Sequence, residues 1–310
     1  MTDSAVQRWL AAGELDVPLP GSGRTMARWC TLADLCERDV VSGRLAEAHT
    51  DAVAILAELG GPPVLPERLW GVWAAEAPDA TVLAHRDGDT VTLSGTKAWC
   101  SGAGLCSDAL VTASTATGER GLYAVDLQAA DVRPLASTWR NAGMADSDTR
   151  SVRFTAAPAI PVGGPGDYLR RPGFWHGAAG VGACWLGGAR AVAAPLYRAV
   201  AAKRSRDPHA AAHLGAVDAA LAAAQALLAT SAAQIDADPA GEHGEVTARR
   251  LRAVVEWAVD EAIGRSARAL GPTPLALDAV HAQRVADLSM YIRQSHAEKD
   301  LAALGALVAR

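Results

Sequence analysis

The stretch Val91-Thr92-Leu93-Ser94-Gly95-Thr96-Lys97-Ala98-Trp99-Cys100-Ser101-Gly102-Ala103 starts as a strand and closes on small residues. Its opening is one arm of a hairpin. Residues 82–85 and 90–94 are short runs with β-branched residues, and Asp87-Gly88-Asp89 between them supplies the turn. Working outward, further short strands are predicted at 108–113, 121–126 and 150–155, each bounded by Gly, Asp, Ser or Pro. Short strands so closely spaced point to a compact β-barrel or sandwich rather than to βαβ units, and no dinucleotide-binding glycine fingerprint interrupts them.

Before this β region the chain reads as helix. Leu45, Ala48, His49, Ala52, Ile55, Leu56 and Leu59 recur at steps of three and four, which marks one buried helical face. Gly60-Gly61-Pro62-Pro63 must stop that helix, because two glycines and two prolines cannot continue it. Further upstream, Gly21-Ser22-Gly23-Arg24-Thr25-Met26 has the glycines of a phosphate loop, yet it follows no strand and lacks the Lys-Ser/Thr ending.

After the β region four long helical segments are predicted, near 174–203, 213–237, 245–270 and 277–307. Arg206-Asp207-Pro208, Asp238-Pro239-Ala240-Gly241 and Gly271-Pro272-Thr273-Pro274 mark the breaks. Long helices with short links fold back on one another, so an antiparallel four-helix bundle is expected. The chain therefore reads as an α+β multidomain protein: a short N-terminal helical region over 1–70, a small central β-barrel over 71–165, and the bundle over 166–310.

Composition narrows the classes. The 310 residues are half hydrophobic and one-fifth charged, with a formal net charge of −5, so general disorder is excluded and nucleic acid is not an expected partner. Arg, Asp, His or Gln interrupts each alanine-rich apolar run, so no membrane association is expected. The N-terminal Met1-Thr2-Asp3-Ser4 has no basic start followed by an apolar run, and a cytoplasmic location is expected. Cys30, Cys36, Cys100, Cys106 and Cys184 form an odd set without a CxxC pair, which suits reduced thiols. His209 and His213 lie four apart but lack a third ligand, so no metal is expected.

Helices, a small β domain and a four-helix bundle, in that order, resemble the acyl-CoA dehydrogenase superfamily. Two motifs carry the resemblance. Residues 91–103 are similar to the family's strand followed by Gly-x-Lys, an aromatic position, a small hydroxyl residue and Gly. Asn141-Ala142-Gly143-Met144-Ala145-Asp146-Ser147-Asp148-Thr149, followed by Val152-Arg153-Phe154, is similar to its Gly-Met-x-x-Ser-x-Thr segment and strand. The resemblance implies a flavin-dependent oxidoreductase acting on an acyl-CoA or related small acyl substrate, with FAD as cofactor (FMN or no flavin being the alternatives) and a homodimer or homotetramer as the assembly.

The same resemblance places Trp99 and Ser101 against the flavin ring, where an indole walls one face and a hydroxyl donates to a ring heteroatom. Trp73 and Ala75 fall in the upstream partner segment, Trp73-Ala74-Ala75-Glu76-Ala77-Pro78, where the family has Thr-Glu-Pro; the Gly-Ser-Asp loop that follows in the family is missing. Arg204 and Arg206 correspond to the arginine that reaches the flavin phosphates of a neighbouring subunit, a task suited to its forked donors. Gly271 stands where the family has a double-glycine turn.

Abstraction of the α-proton needs a carboxylate. The family's count from Asp287 in the final helix lands on Ser295 or His296 instead of a Glu. On one continuous helix Val285, Leu288, Ile292 and His296 form a stripe, so His296 is expected to face inward with Asp300 one turn on to orient it. Glu298 lies roughly 200° around the helix from it. A histidine here resembles the flavin-dependent monooxygenase branch. Three carboxylates remain as alternatives for the base: Glu261 and Glu256 in the third bundle segment, and Glu76. A flavin-less scaffold or partner subunit is the reading from another class.

Overall fold

The computed structural model describes residues 4–202 and 207–309. The chain forms two compact units: residues 1–17, 45–140 and 145–174 in one, and 18–44, 141–144 and 175–310 in the other.

The first unit is built on a curled eight-stranded sheet, a half-barrel. Its strands are β1 (Trp70–Trp73), β2 (Val82–Asp87), β3 (Thr90–Cys100), β4 (Asp108–Ser114), β5 (Arg120–Asp126), β6 (Val132–Pro134), β7 (Arg150–Pro158) and β8 (Ile160–Pro161). They lie in the order β6-β7-β3-β2-β4-β5-β8, and β1 pairs parallel with β4. The predicted hairpin is present: β2 and β3 are antiparallel with Asp87 opposite Thr90, and Gly88 opens the two-residue turn at φ 58°. The expectation missed β1, β6 and β8, which are two to four residues long and too short to show alternation.

Helix α1 (Ala5–Ala11) opens under a capping box from Ser4 and Gln7. Helix α2 spans Thr25–Arg38 and α3 spans Val40–Leu59, where Gly60 takes φ 72° and ends it. From α3, Ala52, Ile55 and Leu56 join Trp70, Leu110, Leu122 and Val162 in one core cluster. A second cluster gathers Trp73, Leu93, Val111, Val125, Val152 and Phe154. Apolar burial of this extent supplies most of the unit's stability.

In the second unit the short α4 (Asp167–Arg170) has already closed the first, and α5 (Gly173–Ala201), α6 (Pro208–Ala237) and α7 (Gly244–Leu270) follow close to the predicted bounds. Helix α6 starts under Asp207, whose carboxylate accepts the His209 amide, with Pro208 at its first turn. Glycines on α5 let neighbours approach: a Cβ on Gly187 would stand 2.0 Å from the Ala33 carbonyl oxygen of α2. Among the described residues α6 is long and apolar enough to cross a membrane by length and composition, contrary to the reading of its alanine run. Its Val217, Leu221, Leu228 and Ile235 are nonetheless buried as it packs along α7.

The fourth predicted bundle segment is two helices, not one, α9 (Ala279–Tyr291) and α10 (Glu298–Val308), and the short α8 (Thr273–Leu277) precedes it at the predicted break. Two side chains end the helices locally. Asp278 takes an extended backbone and accepts the His281 amide at 3.0 Å, so it caps α9. Ser295 takes ψ 141° and its Oγ accepts the Ala297 amide at 3.1 Å, while Ala297 sits at φ 46°. Leu288 and Ile292 are buried as the stripe requires, but the helical register does not reach residue 296.

Candidate functional site

Three turns of the first unit meet at the ends of β1, β3 and β7. A bulge decides the geometry of the middle one. Lys97 pairs with Val152 and Cys100 with Arg150, so β3 carries one residue more than β7 between these points. Trp99 lies in that bulge with φ 60°, a left-handed conformation that is an outlier for so bulky a residue, and its side chain is turned out to 57 % exposure. Its ring meets Trp139 edge-on, centroids 6.4 Å apart.

The turn after the bulge is held by consecutive amides. Gly102 donates to the Ser147 carbonyl at 2.7 Å, Ala103 to the Asp148 carbonyl at 3.1 Å, and Gly104 to Asp148 Oδ2 at 2.8 Å. Asp148 itself sits at φ 46°, a region open to aspartate. Arg150 grips its carboxylate with two bonds of 2.6 and 2.7 Å and thereby holds the carboxyl below the usual range. A Cβ on Gly104 would meet Asp148 Oδ2 at 2.6 Å, so a side chain there would push the carboxylate away from its bond to the Gly104 amide. Hydroxyls add a further link: Ser101 Oγ lies 2.9 Å from Thr149 Oγ1, and Thr149 Oγ1 lies 2.7 Å from Ser147 Oγ. The two segments that carried the family resemblance are thus bonded to each other.

The third turn follows β1. Trp73 is buried and its indole N–H donates to the Ser101 carbonyl at 2.9 Å, so it braces the turn from beneath. Ala75 is exposed on the loop that follows. Where the family's Gly-Ser-Asp loop is missing, a tight turn closes with the Ala80 amide on the Ala77 carbonyl at 3.2 Å. Lys97, 1 % exposed, donates to Glu76 Oε1 at 2.9 Å and to Thr112 Oγ1 at 2.8 Å. Burial lowers the Lys97 ammonium and raises the Glu76 carboxyl, and the bonds to Lys97 and Thr112 outweigh burial at Glu76 and leave its pKa depressed. Burial pushes the Cys100 thiol up, which keeps it protonated and unreactive.

The other predicted site residues that are described lie in the second unit. The orientation expected of His296 is corrected: its side chain is 71 % exposed because the helix ends before it, though its Nδ1 does lie 3.6 Å from Asp300 Oδ2. Glu261 is paired with Arg265 one turn away. Glu256 accepts from Ser295 Oγ at 2.6 Å and from Arg293 at 3.4 Å. Gly271 ends α7 at φ 67°, with no atom near where a Cβ would stand. Arg204 and Arg206 lie outside the described residues. Among the described residues no group of three His, Cys, Asp or Glu is placed to hold a metal ion.

Sequence reasoning assigned no role to Lys97, Ser147, Asp148, Thr149, Arg150 or Trp139. The signal for four of them was a run of hydroxyl and charged residues, Ser147-Asp148-Thr149-Arg150, directly ahead of a strand. It likewise passed over His281, which is buried on α9 with no partner for Nδ1 among the described residues. Burial pushes its imidazole below the ordinary value, Arg284 and Arg198 push the same way, and Asp278 opposes them. A depressed folded pKa gives stability that is complete above the unfolded value of about 6.5 and is lost as pH falls through the folded value. The urea midpoint of the protein should therefore drop more between pH 7.5 and pH 5 than that of His281→Gln; parallel pH profiles for the two would refute this assignment.

No protein-family model matches the chain, and no curated protein matches it. Solved structures do. Butyryl-CoA dehydrogenase from Megasphaera elsdenii superposes with a TM-score of 0.83 over 98 % of this chain and 89 % of that one, at 16 % identity. The chain has the acyl-CoA dehydrogenase fold. Two further structures share the acyl-CoA dehydrogenase fold with it at similar levels. TdsC from Paenibacillus sp. A11-2, a dibenzothiophene monooxygenase solved with FMN and indole, matches with a TM-score of 0.77 at 18 % identity over 97 % of this chain and 93 % of that one. Nitrososynthase from Micromonospora carbonacea var. africana matches with a TM-score of 0.81 at 17 % identity, over 97 % and 88 %.

Proposed function

We propose that this protein is a flavin-dependent oxidoreductase of the acyl-CoA dehydrogenase fold, acting on an acyl-CoA or related small acyl substrate. The observation that carries the proposal is the Trp99–Ser101 turn. Its bulge and left-handed backbone present an indole outward at an energetic cost that a purely structural turn has no reason to bear. The residues present fit a planar heteroaromatic ring: Trp99 offers a flat apolar wall, and Ser101, partly exposed, offers a hydroxyl beside it. A bound flavin supplies hydride-accepting chemistry. Trp99 and Ser101 orient it, and Trp73 holds the turn through its bond to the Ser101 carbonyl. FAD is the flavin proposed, with FMN as the alternative that TdsC suggests.

A second reading, a monooxygenase, is favoured by the state of the carboxylates. Glu76, Glu256 and Glu261 are each engaged by a cation, whereas His296 is exposed beside Asp300. In that reading His296 holds or delivers a proton with Asp300 orienting it. The exposed Trp257, Leu277, Val280, Leu301 and Val308 of the second unit support a homodimer or homotetramer, and a cytoplasmic location is retained as part of the proposal.

Titration of the purified protein with FAD and with FMN tests the cofactor. Saturable quenching of flavin fluorescence is expected, and Trp99→Ala should weaken it about three- to tenfold, the worth of one aromatic contact. Absence of binding by either flavin would leave the scaffold reading. Given binding, an unsaturated acyl product identifies the dehydrogenase, and an oxygenated product with oxygen consumption identifies the monooxygenase.

A further inference from the structure

The three hydroxyls of Ser147, Thr149 and Ser101 have one proton each. Ser147 is buried, and among the described residues its Oγ has Thr149 Oγ1 as its hydrogen-bond partner. Thr149 Oγ1 touches both Ser147 and Ser101, while Ser101 is half-buried at the surface of the turn. These contacts allow few arrangements of protons. If Ser101 donated to Thr149 and Thr149 to Ser147, the Ser147 proton would be a buried donor without an acceptor. If both serines donated to Thr149, the Thr149 proton would lack one. The first orphan is costly because Ser147 is buried, and the second leaves half-buried Thr149 accepting twice while its own proton has no protein acceptor among the described residues. The arrangement that satisfies every proton runs from Ser147 to Thr149 to Ser101 and leaves the Ser101 proton pointing outward.

We propose that Thr149 is a positioning residue that makes Ser101 an obligate hydrogen-bond donor to an acceptor atom of the bound flavin ring. The proposal rests on the flavin reading of the site. The Asp148–Arg150 grip, and the Gly102 amide on the Ser147 carbonyl, fix the backbone on either side of the chain of hydroxyls. Thr149 acts through Ser101 and need not touch the flavin. A donor directed at a ring acceptor withdraws electron density from the ring, so its loss shifts the visible absorption band and the potential as well as the affinity.

The test compares wild type, Thr149→Val, Thr149→Ser and Ser101→Ala by visible absorption and by fluorescence titration with FAD and with FMN. Valine keeps the shape and removes the hydroxyl; serine keeps the hydroxyl. Thr149→Val and Ser101→Ala are expected to weaken binding about three- to tenfold and to move the flavin band in the same direction, with the double variant no worse than either single one. Thr149→Ser is expected to restore both properties. A wild-type band unchanged in Thr149→Val, while Ser101→Ala shifts it, overturns the relay and leaves the flavin reading standing. Failure of wild type to bind either flavin overturns that reading and this proposal together. Thermal unfolding of each variant separates a folding defect, which serine would not selectively repair, from the loss of a directed proton.

Discussion

Replacing Asp287 with alanine is expected to destabilise the protein by about 3 kcal/mol, because two donors, one of them a buried backbone amide, lose the acceptor they share. Asp287 Oδ1 accepts from the Met144 amide at 2.6 Å and from Gln283 Nε2 at 2.8 Å. Gln283 in turn reaches the Ala142 carbonyl at 3.1 Å, and Gly143 lies so close to α9 that a Cβ there would stand 2.2 Å from the Ala286 carbonyl oxygen. Met144 sits at φ 58°, a conformation held only because its surroundings determine it. Without the carboxylate, the strained Met144 amide becomes an orphan in the interior of its unit. Denaturant unfolding checks the size of the effect. Hydrogen exchange checks its place: the Met144 amide should exchange at least about a hundredfold faster than in the parent protein. Asp287→Asn keeps one carbonyl oxygen and should recover most of the loss. An alanine variant as stable as its parent would show that Asp287 is dispensable to this docking.

This clamp also shows what a sequence can and cannot yield. Gly88 marked a turn and Gly60 an ending because glycine takes positive φ readily, a property of the residue itself. The motif at 141–154 was readable as a motif, yet its partner lies 143 residues away in the Met144–Asp287 bond, and nothing local announces such a contact. The Ser101–Thr149 link spans 48 residues and the Lys97–Glu76 pair 21, so both needed the sheet before they could be seen. The last bundle segment failed for the opposite reason. Its apolar stripe was real through Ile292, but Asp278 and Ser295 used their side chains to cap backbone amides, and periodicity does not register that competition. His296 was misplaced with it. The bulge at Trp99 was likewise hidden, because one extra residue in a strand is defined only against its neighbour.

The Lys97–Glu76 pair gives the second large effect, and its asymmetry is the test. Lys97 is 1 % exposed whereas the Glu76 side chain is 41 % exposed. Removing Glu76 as alanine strands an ammonium whose other hydrogen-bond partner is the Thr112 hydroxyl. Breaking a fully buried pair costs about 3–5 kcal/mol, and water entering where the half-exposed carboxylate stood reduces that to about 2–3. Lys97→Met removes the buried charge with its desolvation and leaves Glu76 able to face water and Arg120, 3.5 Å away. It should cost about 1 kcal/mol or less. The double variant should then resemble Lys97→Met alone, a coupling of about 2 kcal/mol in the cycle. The pH dependence follows from the direction of the shift. Burial depresses Lys97, so its penalty is present where the group is charged and disappears as pH rises through its folded pKa. The deficit of Glu76→Ala should accordingly narrow toward about pH 10, and that of Lys97→Met should not. Additive losses in the two single variants would mean that the pair does not act as one unit. In that case Glu76 would be free to serve as the missing base, and the reading of the loop that replaces the family's Gly-Ser-Asp segment would have to change with it.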